Sequence, residues 1–162
     1  MLLLLNRHAQ ADVRDAAQWP DDRDRPLTDK GRKVQSDVSR WLRTRNIAPT
    51  LVLTSPWTRA AQTAEILVEV ARVGQRPVPC EPLADDPDLI RLQDHVGEPP
   101  PDAIVALVGH SPWMEELASL LLGGSAASLR IDFPKSGVMG IELERLEPGA
   151  GELRFFLRPK MV

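Results

Sequence analysis

Two histidines in this chain stand where a phosphoryl group could be both held and attacked. His8 follows Leu5-Asn6-Arg7, and His110 lies within Val108-Gly109-His110-Ser111-Pro112. Each imidazole comes directly after an apolar run that reads as a buried strand. In open α/β sheets, ligands bind outside the carboxyl ends of the strands, where the strand order reverses. A neutral imidazole nitrogen can attack phosphorus and become a phosphohistidine, dividing one displacement into two easier ones. The group in transfer spreads its charge over three oxygens, so fixed cationic donors must surround it. Arginine suits this task because its planar fork holds two oxygens at once. Arg7 adjoins His8. A second arginine, Arg59, follows Thr54-Ser55-Pro56-Trp57-Thr58 in the first turn of a helix, where free N–H groups and the dipole favour an anion. Three strand ends thus converge on Arg7-His8, Arg59 and His110. Neighbouring strand residues point to opposite faces, so Arg7 and His8 are expected to leave together from the loop after the strand.

The elements that must position these groups are legible. Leu2–Leu5 is continuously apolar, the pattern of a strand covered on both faces. Gln10 to Pro26 is polar and reads as a solvated loop, with its Asp21–Arg25 charge run in reach of the rim of the site. Thr28 is an N-cap, and Val34, Val38, Trp41 and Leu42 recur at helical spacing to about Arg45. Leu51–Leu53 is the second strand, with Ser55-Pro56 as cap and first residue of the next helix. A short strand is expected within Pro77 to Pro82 and a weak helix around Leu89 and Leu92. Ile104–Val108 is a further buried strand, Ser111-Pro112 opens another helix, and Gly123-Gly124 stops it. Val138–Leu143 and Leu153–Leu157 flank Glu147-Pro148-Gly149 as a terminal hairpin. Strands alternating with helices give an α/β layering with a largely parallel sheet.

The 162 residues carry no internal repeat or linker and are expected to form one domain, 1–162. A formal charge of −3 offers no basic field for nucleic acid, so any anion must be captured by a local cluster. The one cysteine, Cys80, excludes an internal disulfide and any cysteine metal cluster. It reads as a small apolar residue. Leu2–Leu5 is too short for a signal peptide, and no apolar stretch approaches a membrane span; no membrane partner and a cytoplasmic location are expected. Only three histidines exist, and arginines accompany two of them, so neither a metal site nor a cofactor is expected. His95 reads as a surface residue, while Trp57 and Trp113 stand beside the strand-end motifs as candidate pocket walls.

These motifs resemble the histidine phosphatase superfamily, its phosphoglycerate-mutase-like branch, and within it the small SixA-type phosphohistidine phosphatases. Arg7-His8-Ala9 is similar to the Arg-His-Gly signature of that family. Leu27-Thr28-Asp29-Lys30-Gly31 is similar to its Leu-Thr-x-x-Gly helix start. Thr54-Ser55-Pro56 with Arg59, Gln62, Thr63 and Ala64 matches its Ser-Pro-x-x-Arg-x-x-Gln-Thr-Ala block, and Gly109-His110 its late Gly-His element. The resemblance implies a three-layer α/β/α fold with a mostly parallel central sheet. It implies His8 as nucleophile, with Arg7, Arg59 and His110 binding the phosphoryl group. Ala9 departs from the usual glycine, which needs a negative φ there and adds a methyl near the pocket. No motif fixes a general acid. Mutase-branch relatives place a glutamate after the middle strand, where this chain has Glu81, Asp85 and Asp86.

SixA-type members often lack an obvious acid, which fits a phosphoramidate substrate. The chain is short for the superfamily and leaves little room for an inserted lid, favouring a phosphorylated protein over a small phosphorylated substrate. The alternatives are a general phosphomonoesterase or mutase-like enzyme and, with less support, a non-catalytic phospho-ligand module.

Overall fold

A computed structural model describes residues 1–84 and 88–162. In chain order the elements are β1 (Leu2–Arg7), α1 (Asp29–Thr44), β2 (Leu51–Thr54), α2 (Thr58–Ala71), β3 (Val78–Pro79), α3 (Leu89–Val96), β4 (Ile104–Gly109), α4 (Trp113–Gly123), β5 (Val138–Glu142) and β6 (Glu152–Leu157). The strands form one sheet in the order β3-β2-β4-β1-β5-β6. β3, β2, β4 and β1 run parallel. β5 and β6 close the edge antiparallel as the expected hairpin.

The apolar run of β1 explains why it is central. Leu3 and Leu5 pack on one face with Leu92 and Val96 of α3 and Met114, Leu117 and Leu121 of α4. Leu4 points to the other face, among Val38 and Leu42 of α1 and Ala60, Ala64 and Leu67 of α2. All three leucines are fully buried, each contributing about 1.5–3 kcal/mol. This alternation divides the helices between two layers and gives the three-layer architecture. β4 lies between β1 and β2, so the chain crosses over it on the way from β1 to β2 and the ends of these three strands face one crevice.

Local chemistry sets the boundaries. Thr28 Oγ1 accepts from the Gly31 N–H at 3.0 Å, capping α1 as its sequence indicates. Gly31 is needed for a second reason: a Cβ there would come within 2.1 Å of the Gln10 carbonyl oxygen. The loop before α1 therefore lies directly on the helix.

Four expectations are corrected. α2 is capped at Trp57 rather than Ser55, and α4 at Pro112 rather than Ser111. Ser55 turns its hydroxyl to His110 and Ser111 turns its own to Glu115. β1 continues through Arg7, which pairs with Gly109, so only His8 lies beyond the strand. The polar loop contains a 3-10 turn at Asp22–Asp24.

Candidate active site

The strand ends open into a cleft of about 630 Å³ lined by Arg7, His8, Trp57, Arg59, His110 and Trp113, with Asp22, Arg25, Glu116 and Lys135 among its further residues. All four sequence-selected groups, Arg7, His8, Arg59 and His110, are present in it, and both tryptophans wall it. The His8 and His110 rings lie 5.1 Å apart by centroid, and the Trp57 ring lies 4.6 Å from that of His110, tilted by 49°.

His8 is only 7% exposed. Its backbone N–H donates to the Gly109 carbonyl at 2.8 Å, tying the end of β1 to β4. Its Nδ1 lies 2.7 Å from the Ala9 carbonyl oxygen. A carbonyl only accepts, so Nδ1 carries the hydrogen and Nε2 presents a lone pair. Burial, then the charges of Arg59, Arg7 and Lys135, push the His8 pKa down to about 3. The imidazole is therefore neutral at physiological pH. His110 is likewise held neutral, its pKa lowered to about 2 by burial first and by the charges around it. Its Nε2 sits 2.8 Å from Ser55 Oγ. In the tautomer in which Ser55 donates to Nε2, Nδ1 carries the hydrogen.

Arg59 is 4% exposed and is held from two sides. Its Nη1 donates to the Asp22 carbonyl at 2.8 Å and its Nη2 lies 3.3 Å from Asp22 Oδ2. The guanidinium carbon sits 4.6 Å from the Trp57 ring centroid. Burial lowers its pKa to about 10, which leaves it charged at neutral pH. Arg7 Nη1 donates to the Phe133 carbonyl at 2.5 Å, with Glu115 Oε1 3.9 Å away. Arg7 Nε, Arg59 Nε and His110 Nδ1 are buried with no hydrogen-bond partner among the described residues. Buried polar atoms are ordinarily paired. Three orphans belonging to residues of one cleft mark a site built to receive acceptor oxygens.

The remaining motif residues form the frame. Thr63 Oγ1 accepts from the Ala9 N–H at 3.0 Å and donates to the Arg59 carbonyl at 2.6 Å. Gln62 Oε1 accepts from the Leu27 N–H at 2.9 Å. One turn of α2 thus fastens the nucleophile segment and the start of α1. Ala9 is fully buried with Ala11, Leu27 and Ile66, and its φ is not positive. Its methyl joins that small cluster instead of lining the cleft, which is why alanine is accommodated where glycine is usual.

Sequence reasoning missed Asp22. Its carboxylate also binds Arg25 at 2.9 Å and approaches Arg14 at 3.4 Å, and these cations hold it below the usual carboxylate range, the Arg25 hydrogen bond first. Its place in the Asp21–Arg25 charge run put it in reach of the rim but gave no sign that it would hold Arg59. Lys135 and Glu115 were missed as well. Of the candidate acids, Glu81 is exposed in the 3-10 turn Glu81–Leu83. It lines a neighbouring groove with Asp21, Arg23 and Asp24, outside the main cleft. Asp85 and Asp86 lie outside the described residues. His95 is exposed with its Nδ1 2.7 Å from the Arg91 carbonyl, and Cys80 is fully buried, its thiol pushed up to about 11 by burial. No helix among the described residues is long and apolar enough to cross a membrane.

Comparison with known proteins agrees with this fold. An uncharacterized protein of Picosynechococcus sp. is 35% identical over 143 residues, covering 87% of this chain and 84% of that protein. The fold matches that of the protein histidine phosphatase SixA complexed with tungstate, with a TM-score of 0.81 and 23% identity over 99% of both chains. A protein from Agrobacterium tumefaciens assigned as phosphohistidine phosphatase SixA superposes with a TM-score of 0.77 and 25% identity, over 98% of this chain and 97% of that one. Residues 3–84, which hold His8 and Arg59, match the family model for the histidine phosphatase superfamily (branch 1). The chain belongs to the histidine phosphatase superfamily, branch 1, and is a hydrolase of the phosphatase type.

Proposed function

We propose that this phosphatase acts in the cytoplasm on phosphohistidine proteins, through a phosphohistidine intermediate on His8. His8 Nε2 attacks phosphorus and the bond to the carrier nitrogen breaks. Water then attacks the phosphorus of phospho-His8, releasing inorganic phosphate and restoring the imidazole. Arg7, Arg59 and His110 hold the three oxygens through both steps, as preorganised donors in a site of restricted water. The guanidiniums supply the positive charge, so the reaction needs no divalent metal or cofactor.

One observation carries the reading: His8 donates from Nδ1 to Ala9, leaving the Nε2 lone pair free in a cleft where Arg7, Arg59 and His110 have unpartnered buried nitrogens among the described residues. Phosphohistidine is favoured as substrate because its P–N bond is labile and its nitrogen leaves with less protonic help than an alkoxide oxygen needs. The test is a panel of phosphohistidine protein, phosphoglycerate and p-nitrophenyl phosphate assayed with EDTA present. The expected kcat/KM for the phosphohistidine protein exceeds that for phosphoglycerate by at least about 10²-fold, the low end of what general acid catalysis contributes.

A second reading, a phosphomonoesterase for small phosphorylated acids, draws on Arg25 and Lys135, cations of the cleft beyond those needed for one phosphoryl group. Equal efficiencies in the panel, or a preference for phosphoglycerate, would favour it.

A further inference from the structure

Phosphoryl transfer to His8 leaves a basic atom on the departing group, and something must protonate it. The described carboxylates in and around the cleft are poorly suited. Glu81 lies outside it. Glu115 is not among the residues lining the cleft, and its Oε1 accepts from the Ser111 hydroxyl at 2.7 Å and lies 3.9 Å from Arg7 Nη1. Asp22 is committed to Arg25, Arg59 and Arg14. Glu116 stands exposed at the mouth.

Lys135 differs from all of these. It lines the cleft with His8 and Arg7, on a turn built against the nucleophile. Gly137 N–H donates to the Pro134 carbonyl at 2.8 Å, closing a four-residue turn with Lys135 and Ser136 at its centre. Ser136 adopts φ +59°, a conformation that β-carbon sterics disfavour for a residue other than glycine. It is held there by its N–H, which lies 3.1 Å from the Arg7 carbonyl and 3.3 Å from the His8 carbonyl. Asn6 Nδ2 and the Arg7 N–H both donate to the Gly137 carbonyl, at 3.0 and 3.2 Å. The turn is thereby fastened to the three residues that end in the nucleophile. The Lys135 ammonium makes no ion pair among the described residues.

We infer that Lys135 is a catalytic residue, the proton donor to the leaving group. As His8 Nε2 bonds to phosphorus and the bond from phosphorus to the leaving oxygen or nitrogen breaks, an Nζ hydrogen passes to that atom and Lys135 becomes a neutral amine. In the second step the amine takes a proton from the attacking water, the P–Nε2 bond breaks, and phosphate leaves with both side chains restored. Partial burial, then the charges of Arg7 and Arg25, lower the Lys135 pKa and make its proton easier to release. Lys135 is exposed, so exchange with water can also reset it.

This role rests on the phosphatase reading, and the experiment separates the two. Wild type, Lys135→Met, Lys135→Arg and Glu116→Gln are compared on p-nitrophenyl phosphate and phenyl phosphate by kcat/KM, which reports phosphoenzyme formation. Phenoxide is the poorer leaving group and needs the proton more. Lys135→Met is expected to slow phenyl phosphate at least about 10²-fold more than p-nitrophenyl phosphate. Lys135→Arg is expected to fail in the same way, since a guanidinium keeps the charge but does not surrender a proton. Equal losses on both esters, rescue by arginine, or the leaving-group-dependent loss appearing in Glu116→Gln would overturn the donor role while leaving the phosphatase intact. A wild-type chain that formed no phosphohistidine on His8 from either ester or from a phosphohistidine protein would overturn the phosphatase reading and the donor role with it.

Discussion

The Nδ1–H of His8 donates to the carbonyl of the next residue, Ala9, at 2.7 Å. This single bond selects one tautomer and aims the other nitrogen at the cleft. Ala9 in turn is fixed through its N–H to Thr63, so the carbonyl that orients the imidazole is itself held by α2. A transient phosphoenzyme is therefore expected on His8 Nε2. It should be acid-labile and base-stable, as a phosphoramidate is, and absent from His8→Ala. Isotopic labelling followed by peptide mapping checks it, and label on a serine or an aspartate would contradict the assignment.

The buried histidines also set a pH dependence of stability. Their folded pKa values, about 3 for His8 and about 2 for His110, lie below the unfolded value of about 6.5. Between these limits the unfolded chain binds protons that the folded chain refuses, so stability falls as pH drops below about 6.5. At pH 5 the loss is about 2 kcal/mol for each histidine. Thermal melts of wild type and of the His8→Asn/His110→Asn double variant, at pH 7 and pH 5, measure this. The variant should lose distinctly less Tm on acidification.

What the sequence revealed and what it withheld follow a physical line. Arg7, His8, Arg59 and His110 were legible because each sits at a fixed offset from an apolar strand, and strand ends are the places a parallel sheet offers to a ligand. The sheet itself was legible from Leu2–Leu5, whose alternate side chains serve two cores. Asp22 and Lys135 were not, because their places depend on loops folding back over the site across long stretches of chain. A charged residue in a polar loop carries no periodicity to reveal such a contact. The caps of α2 and α4 were misread for a related reason: Ser55 and Ser111 are sound N-cap residues, but Ser55 turns its hydroxyl to His110, outside α2, and Ser111 gives its own to the Glu115 carboxylate in the first turn of α4.

Arg59 is expected to contribute through geometry as much as charge. Its two terminal nitrogens engage Asp22, while its buried Nε has no partner. Arg59→Ala should lose more than about 2 kcal/mol of transition-state stabilisation, near the value for removing one preorganised donor. Arg59→Lys should recover only part, because the fork that binds two oxygens is gone. Wild-type activity should persist in EDTA. Measuring kcat/KM for the three proteins, with and without chelator, checks both points; activity lost to EDTA and restored by magnesium would contradict the role given to the guanidiniums.

Two framing residues test whether the motif is architecture or chemistry. Thr63→Val removes the hydroxyl that accepts from the Ala9 N–H and keeps the shape of the side chain. The buried N–H left behind should destabilise the fold by about 1–3 kcal/mol, and looser anchoring of His8 should lower kcat more than it raises KM. Gly31→Ala places a methyl 2.1 Å from the Gln10 carbonyl oxygen, which forces the loop off α1. Overpacking of this kind costs about 1–3 kcal/mol. That loop carries Asp22 onward to Arg59, so the displacement should reach the cleft and weaken inhibition by inorganic phosphate. Denaturant melts together with a phosphate inhibition constant for each variant separate the effects. Thr63→Val is expected to act on turnover with phosphate affinity nearly retained. Gly31→Ala is expected to act on stability and on phosphate affinity together, and a Gly31→Ala protein with unaltered phosphate inhibition would show that the loop does not position Arg59.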